Sequence, residues 1–197
     1  MVQVLDDLKE TPSQTAGPYV HLGLAPAAAG VARPGRDLGF GGVPGGVPGP
    51  RIRVTGRVFD GMGAPVTDVL IEVWQADAGG FYPGQPGAAP GFAGWARVVP
   101  DFDTGLFALD TILPGAVPGP GGRLLAPHLS LWLVARGINT GLQTRMYFPD
   151  RDNAADPVLS LIEPPRRRRT LIATGADGAY RFDIHLQGDR ETVFLDV

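Results

Sequence analysis

From Arg51 onward, this chain breaks into short runs of alternating apolar and polar residues, punctuated by Gly, Pro and Asp at close intervals. Alternation with a period of two is the signature of half-buried strands, and the punctuation sets their ends. "RIRVTGRVFD" ends at the turn "DGMGAP" and is followed by "VTDVLIEVWQAD", a pair that reads as adjoining antiparallel strands. "WARVVPDFDTGLFALDTILPG" reads as a strand, a "DTG" turn and another strand. "APHLSLWLVARG" and "GLQTRMYFPD" add two more, and "AYRFDIHLQGDRETVFLDV" closes as a last hairpin. In "PPRRRRTLIATG" the prolines are placed to start a short helix and the Gly to end it. Many short strands with almost no helix predict an all-β fold, a β-sandwich.

The 50 residues before this region read differently. In residues 1–22, "TPSQTAGPYVHLGL" holds prolines and small residues that argue against helix and for an extended N-terminal arm. Residues 25–50, "APAAAGVARPGRDLGFGGVPGGVPGP", are low in complexity and predict a long, poorly ordered loop. Much of the chain's glycine (29) and proline (20) lies in such loops, so the 44% hydrophobic content is left to build one real core. The predicted organisation is an arm and Gly/Pro-rich loop over 1–50 and a sandwich over 51–197, a single domain overall.

Several function classes are disfavoured. There is no cysteine, hence no disulfide framework and no thiolate metal site; this suits a cytoplasmic protein. "MVQVLDDLKE" has neither the basic nor the apolar region of a signal peptide. No apolar run reaches the roughly 18 residues of a membrane span. The net charge of −3 gives no global attraction to nucleic acid, and the basic run Arg166–Arg169 lacks interleaved aromatics, so it reads as a solvated face or partner contact. No HExxH helix, GxSxG elbow, phosphate loop or GxGxxG turn is present.

Three positions invite a chemical reading. His128 shares one strand face with Ser130, Trp132, Val134 and Arg136, while Leu129, Leu131, Leu133 and Ala135 form the opposite, core-facing row. The mixed face is expected to meet a cavity, an interface or solvent. A lone histidine there is ordinarily structural, since a metal normally takes three or four ligands. Tyr82, in the loop "GGFYPG", is ordinarily a packing residue, although a phenolate suits Fe(III). Arg136, in "ARGINTG", has the shape for two-point contact with a carboxylate, but an ion-paired surface role is the ordinary one. About 26 Å separates it from His128 on a straight strand, so the two cannot serve one pocket.

The motifs "ETPSQTAGPYVHLGL", "IEVWQADAGGFY", "DTILPG", "APHLSLWLVARGIN", "TRMYFPD" and "YRFDIHLQGDRETVFLDV", in this order, resemble the protocatechuate 3,4-dioxygenase family of intradiol ring-cleavage dioxygenases, its α chains above all. The resemblance implies a β-sandwich. It also implies, in the catalytic members, a non-haem Fe(III) held by two tyrosines and two histidines, which adds both atoms of O2 to a catechol. With protocatechuate the implied product is 3-carboxy-cis,cis-muconate, in the β-ketoadipate pathway.

Carried onto this sequence, the ligand positions fall at Tyr82, Val117, His128 and Ser130. The first and third keep a ligand residue; Val117 stands in "PGAV" where the motif calls for tyrosine, and Ser130 where it calls for the second histidine. This implies an α-type chain without competent metal or catalytic residues of its own, paired with a homologous β chain that bears Fe(III) in a hetero-oligomer of αβ units. The resemblance also implies that Thr15, Gly17, Pro18 and Arg136 border the β chain's pocket and touch protocatechuate. Two alternatives stand beside it: a self-sufficient intradiol dioxygenase with altered ligands, and a non-enzymatic β-sandwich binding module.

Overall fold

A computed structural model of the chain describes residues 14–17 and 19–196. The strands are β1 (Arg51–Gly56), β2 (Val58–Phe59), β3 (Leu70–Trp74), β4 (Trp95–Val98), β5 (Phe107–Ile112), β6 (Val117–Pro118), β7 (Leu124–Leu125), β8 (His128–Val134), β9 (Leu142–Tyr147), β10 (Thr174–Ala176), β11 (Ala179–Arg181) and β12 (Ile184–His185). They form two four-stranded sheets, ordered β10-β11-β1-β5 and β4-β3-β8-β9, with two-stranded pieces β12-β2 and β6-β7.

The alternation in the sequence builds the core. Leu129, Leu131 and Leu133 of β8 and Ile71 and Val73 of β3 point to one side. They pack with Ile52 and Val54 of β1 and Phe107 and Leu109 of β5 in a single buried cluster. Each such side chain, fully buried, stabilises by about 1.5–3 kcal/mol, so the core fixes which face of β8 points outward. That face carries His128 and Ser130.

The sheet assignments differ from the sequence expectations. β1 and β3 are not neighbours: β1 pairs with β5 and β11, whereas β3 pairs with β4 and β8. After "DGMGAP" the chain returns only as far as a single bridge between Phe59 and Pro65 and then crosses to the other sheet. β4 and β5, on either side of the "DTG" turn, likewise belong to opposite sheets. The C-terminal segment is not a closed hairpin. β12 joins β2 in parallel, and Leu195 bridges to Gln143 of β9. Local turn chemistry signals a reversal but not which sheet receives the next strand.

Among the described residues, three short α-helices accompany the strands: α1 (Val20–Leu24), α2 (Pro157–Leu161) and α3 (Pro165–Arg168). α1 corrects the expectation of a helix-free arm. The arm's prolines precede it, and its His21 is buried against Phe102, with ring centroids 5.4 Å apart. α3 forms where the prolines placed it, but it gives way to a 3-10 turn over Arg169–Leu171, and Gly175 lies in β10 rather than at a helix end. Residues 25–50 have no regular structure yet are tied down. Val47 is buried with Phe92 and Ile112, and the Arg51 guanidinium donates to the carbonyls of Val43, Pro44, Gly45 and Val47. No described helix is long and apolar enough to cross a membrane.

Candidate functional site

The outer face of the β4-β3-β8-β9 sheet gathers the first cluster. In the ladder, Trp74 stands opposite Ser130 and Ser130 opposite Arg145, so the three share one face on adjacent strands. One row along, His128 stands opposite Tyr147. Tyr82, on the loop after β3, lays its ring on Trp74, with centroids 5.7 Å apart and planes 4° from parallel. Tyr82 also packs on a small apolar cluster of Ala76, Val117 and Leu125. Gly80 permits this approach. Its φ is +84°, and a β-carbon there would sit 2.1 Å from the Ala116 carbonyl oxygen. Tyr82, Val117, His128 and Ser130 therefore lie around one neighbourhood, although they are scattered in sequence.

His128 is 4% exposed, so on this mixed face it is buried rather than solvated. Its Nδ1 lies 2.7 Å from the Ala126 carbonyl oxygen. A carbonyl only accepts, so Nδ1 carries the proton and Nε2 keeps the lone pair. Burial, reinforced by the positive charge of Arg145, lowers the His128 pKa to about 4, and the ring is neutral at pH 7. Burial raises the Tyr82 pKa, with Arg145 acting in the opposite direction, so this phenol is un-ionised at neutral pH.

Beside these residues runs a chain of polar contacts. Arg145 Nη1 lies 3.5 Å from the Tyr147 hydroxyl, which donates to Asp156 Oδ1 at 3.1 Å. Asp156 is buried. Its Oδ1 accepts from the Val158 and Leu159 N–H groups at the start of α2, and its Oδ2 accepts from the Ala126 N–H. The Tyr147 pKa is pushed up by burial and by Asp156.

As a donor set for a hard trivalent cation, this neighbourhood does not fit. Val117 has no donor atom, Ser130 is a neutral hydroxyl, and a guanidinium stands among them, which leaves only Tyr82 and His128. Among the described residues, no group of three or more His, Cys, Asp or Glu side chains is arranged to hold a metal ion.

The second cluster lies just past the other end of β8. The Arg136 side chain is 68% exposed, and its Nε donates to Asp68 Oδ2. The next residue, Gly137, donates its N–H to Thr15 Oγ1 at 2.7 Å, which joins the arm to this corner. Gly17 is exposed in the same arm, and Pro18 lies outside the described residues. Asp68 also faces His21, whose pKa is lowered by burial against the opposing charge of Asp68. A hollow of about 400 Å³ opens beside Arg136, lined by Asp60, Ile138, Leu142 and Gln187 among others.

Sequence reasoning singled out Thr15, Arg136, Tyr82 and His128 but passed over Arg145, Tyr147, Asp156, Asp68 and His21. A signal existed for two of them. Arg145 interrupts a strand as the lone charge in "LQTRMYF", and "DP" before "VLSL" is a helix-start pattern.

Known proteins fall in line with this architecture. Residues 40–188 match the Dioxygenase family model (Dioxygenase_C). The chain is 48% identical over 195 residues to the protocatechuate 3,4-dioxygenase alpha chain of Pseudomonas putida, covering 96% of this chain and 97% of that one. It is 38% identical over 168 residues to the protocatechuate 3,4-dioxygenase beta chain of Burkholderia cepacia, covering 77% and 71%. Among solved structures, the dioxygenase domain of a dioxygenase–carbohydrate-binding fusion from Streptomyces sp. SirexAA-E superposes with a TM-score of 0.53 at 27% identity, covering 94% of this chain and 100% of that domain. On this sandwich, this family match and this near full-length likeness, the chain belongs to the intradiol ring-cleavage dioxygenase family.

Proposed function

We propose that this chain is the α-type subunit of a protocatechuate 3,4-dioxygenase: it carries no catalytic iron and completes the substrate pocket of a homologous, iron-bearing β chain. The observation that carries this reading is the combination of near full-length likeness to an alpha chain with a donor set reduced to Tyr82 and His128. The family's Fe(III), held by the β chain, supplies activation of the bound catecholate toward O2. A cytoplasmic setting belongs to the same reading.

The contribution of this chain is binding and orientation. Arg136 offers a planar, permanently charged fork to the carboxylate of protocatechuate. Its Asp68 partner holds one edge of the guanidinium and leaves the terminal nitrogens for substrate. Thr15 ties the arm to the Gly137 backbone, next in sequence to Arg136, and the arm residues that follow, Gly17 and Pro18, belong to the same proposed substrate contact. A carboxylate held there fixes the orientation of the ring and thereby the bond between its two hydroxyls that is cleaved.

The test is co-expression with a β chain. The two are expected to copurify in equal amounts, with turnover of protocatechuate requiring both. A β chain fully active without this one, or turnover by this chain alone, contradicts the reading.

A further inference from the structure

The iron-ligand positions of this chain are not simply short of donors; a charge stands among them. Arg145 lies directly across the β8–β9 ladder from Ser130, the position of the missing second histidine. Opposed residues in such a pair have β-carbons about 5 Å apart. Through Ser130 the same row reaches Trp74, on which Tyr82 is stacked. Through Tyr147, Arg145 reaches the row of His128, whose ring centroid is 5.7 Å from that of Tyr147. The guanidinium is partly buried and has no direct ion pair among the described residues. Its positive charge acts on both Tyr82 and His128.

We propose that Arg145 is the resident cation of the former metal centre, and that it excludes a trivalent metal ion independently of the ligands lost at Val117 and Ser130. The neutralising anion is Asp156, reached through the Tyr147 hydroxyl, which accepts from Arg145 and donates to the carboxylate. Guanidinium, phenol and carboxylate form a closed charge-balanced set within the protein. A second cation in the same small volume meets a positive charge that Asp156 offsets only in part, since at His128 the influence of Arg145 exceeds that of Asp156. Ligand loss and cation gain are therefore two separate locks, and restoring the ligands alone opens only one.

The inference rests on the assignment of the four ligand positions, and its test is made on the isolated full-length chain. The double variant Val117→Tyr, Ser130→His is prepared with residue 145 as Arg, Lys, Gln or Leu. Folded protein is incubated with Fe(III), desalted, and read by metal analysis and by tyrosinate-to-iron visible absorption. The Arg and Lys forms are expected to stay at background. The Gln and Leu forms are expected to retain about tenfold more iron per chain and to show the visible band. The two neutral replacements differ in polarity, so a folding failure in one leaves the other to decide. Iron retention independent of residue 145, with all four forms loaded or all four empty, overturns the proposal. The α-subunit reading depends on copurification with a β chain, which is a different readout.

Discussion

The two ends of β8 have opposite characters. At its start, His128 is buried, neutral and enclosed by Tyr147, Arg145 and Asp156, a set that balances its own charge. Just beyond its end, Arg136 is largely exposed, held at one edge by Asp68 and open on the other. At the first end the charges are balanced within the protein, whereas at the second a cation keeps an open edge. The difference directs the proposed substrate role to the open charge of Arg136 rather than to the positions that resemble a metal centre.

The sharpest way to break the contrast is to unbalance the closed end. Asp156 accepts hydrogen bonds from Tyr147 and from three backbone N–H groups. Asp156→Ala is expected to cost about 3–5 kcal/mol, because it orphans buried donors and leaves Arg145 without its relayed anion. Urea unfolding reads this directly, and a loss below about 1 kcal/mol means the network is not the anchor described.

A second test uses pH. His128 is neutral in the folded protein because its pKa falls to about 4 from 6.5. The unfolded chain therefore binds more protons between those values, and stability must fall as pH drops through that window. His128 contributes about 1.5 kcal/mol of loss between pH 6.5 and 5. His128→Asn should flatten the profile by that amount against the wild-type curve; burial also lowers His21 and His185, whose contributions stay in both curves. An unchanged slope would place the ring in contact with water.

At the open end the proposed role places the expected effects on substrate rather than on folding. Arg136→Ala in the αβ enzyme is expected to raise KM for protocatechuate about tenfold, equivalent to about 1.4 kcal/mol, with little change for uncharged catechol. Equal effects on both substrates would remove carboxylate steering from the account. The smallest effect is expected at Asp68→Asn: below about 0.5 kcal/mol in stability, since the pair is exposed on the Arg136 side. KM for protocatechuate should still rise a few-fold as Arg136 loses its fixed edge. A stability loss with no change in KM would make Asp68 structural only.

Much of this was legible in the residues themselves. Alternation in "HLSLWLV" separated the leucine row, which is core, from the face carrying His128 and Ser130. The motif order pointed to the family, and the resemblance implied that Val117 and Ser130 stand where catalytic members carry ligands. What the linear order could not carry was pairing across strands. Arg145 becomes meaningful only when the β8–β9 register sets it opposite Ser130. Likewise Asp68 matters only when the fold brings it to Arg136, 68 residues away in the chain. The misplacement of β1 beside β3 has the same origin. A turn motif encodes a reversal locally, while the choice of sheet is made by the burial of both apolar faces against each other.

On the proposed reading, this chain holds no iron of its own and works through the pocket of another. That reading is tested most directly by titrating the isolated, unmodified chain with Fe(III) while following visible tyrosinate absorption and bound metal after desalting. The isolated chain is expected to show no visible band and only background iron, with stoichiometric iron and the band appearing only in the complex with a β chain. Stoichiometric iron and a tyrosinate band in the isolated chain would contradict it.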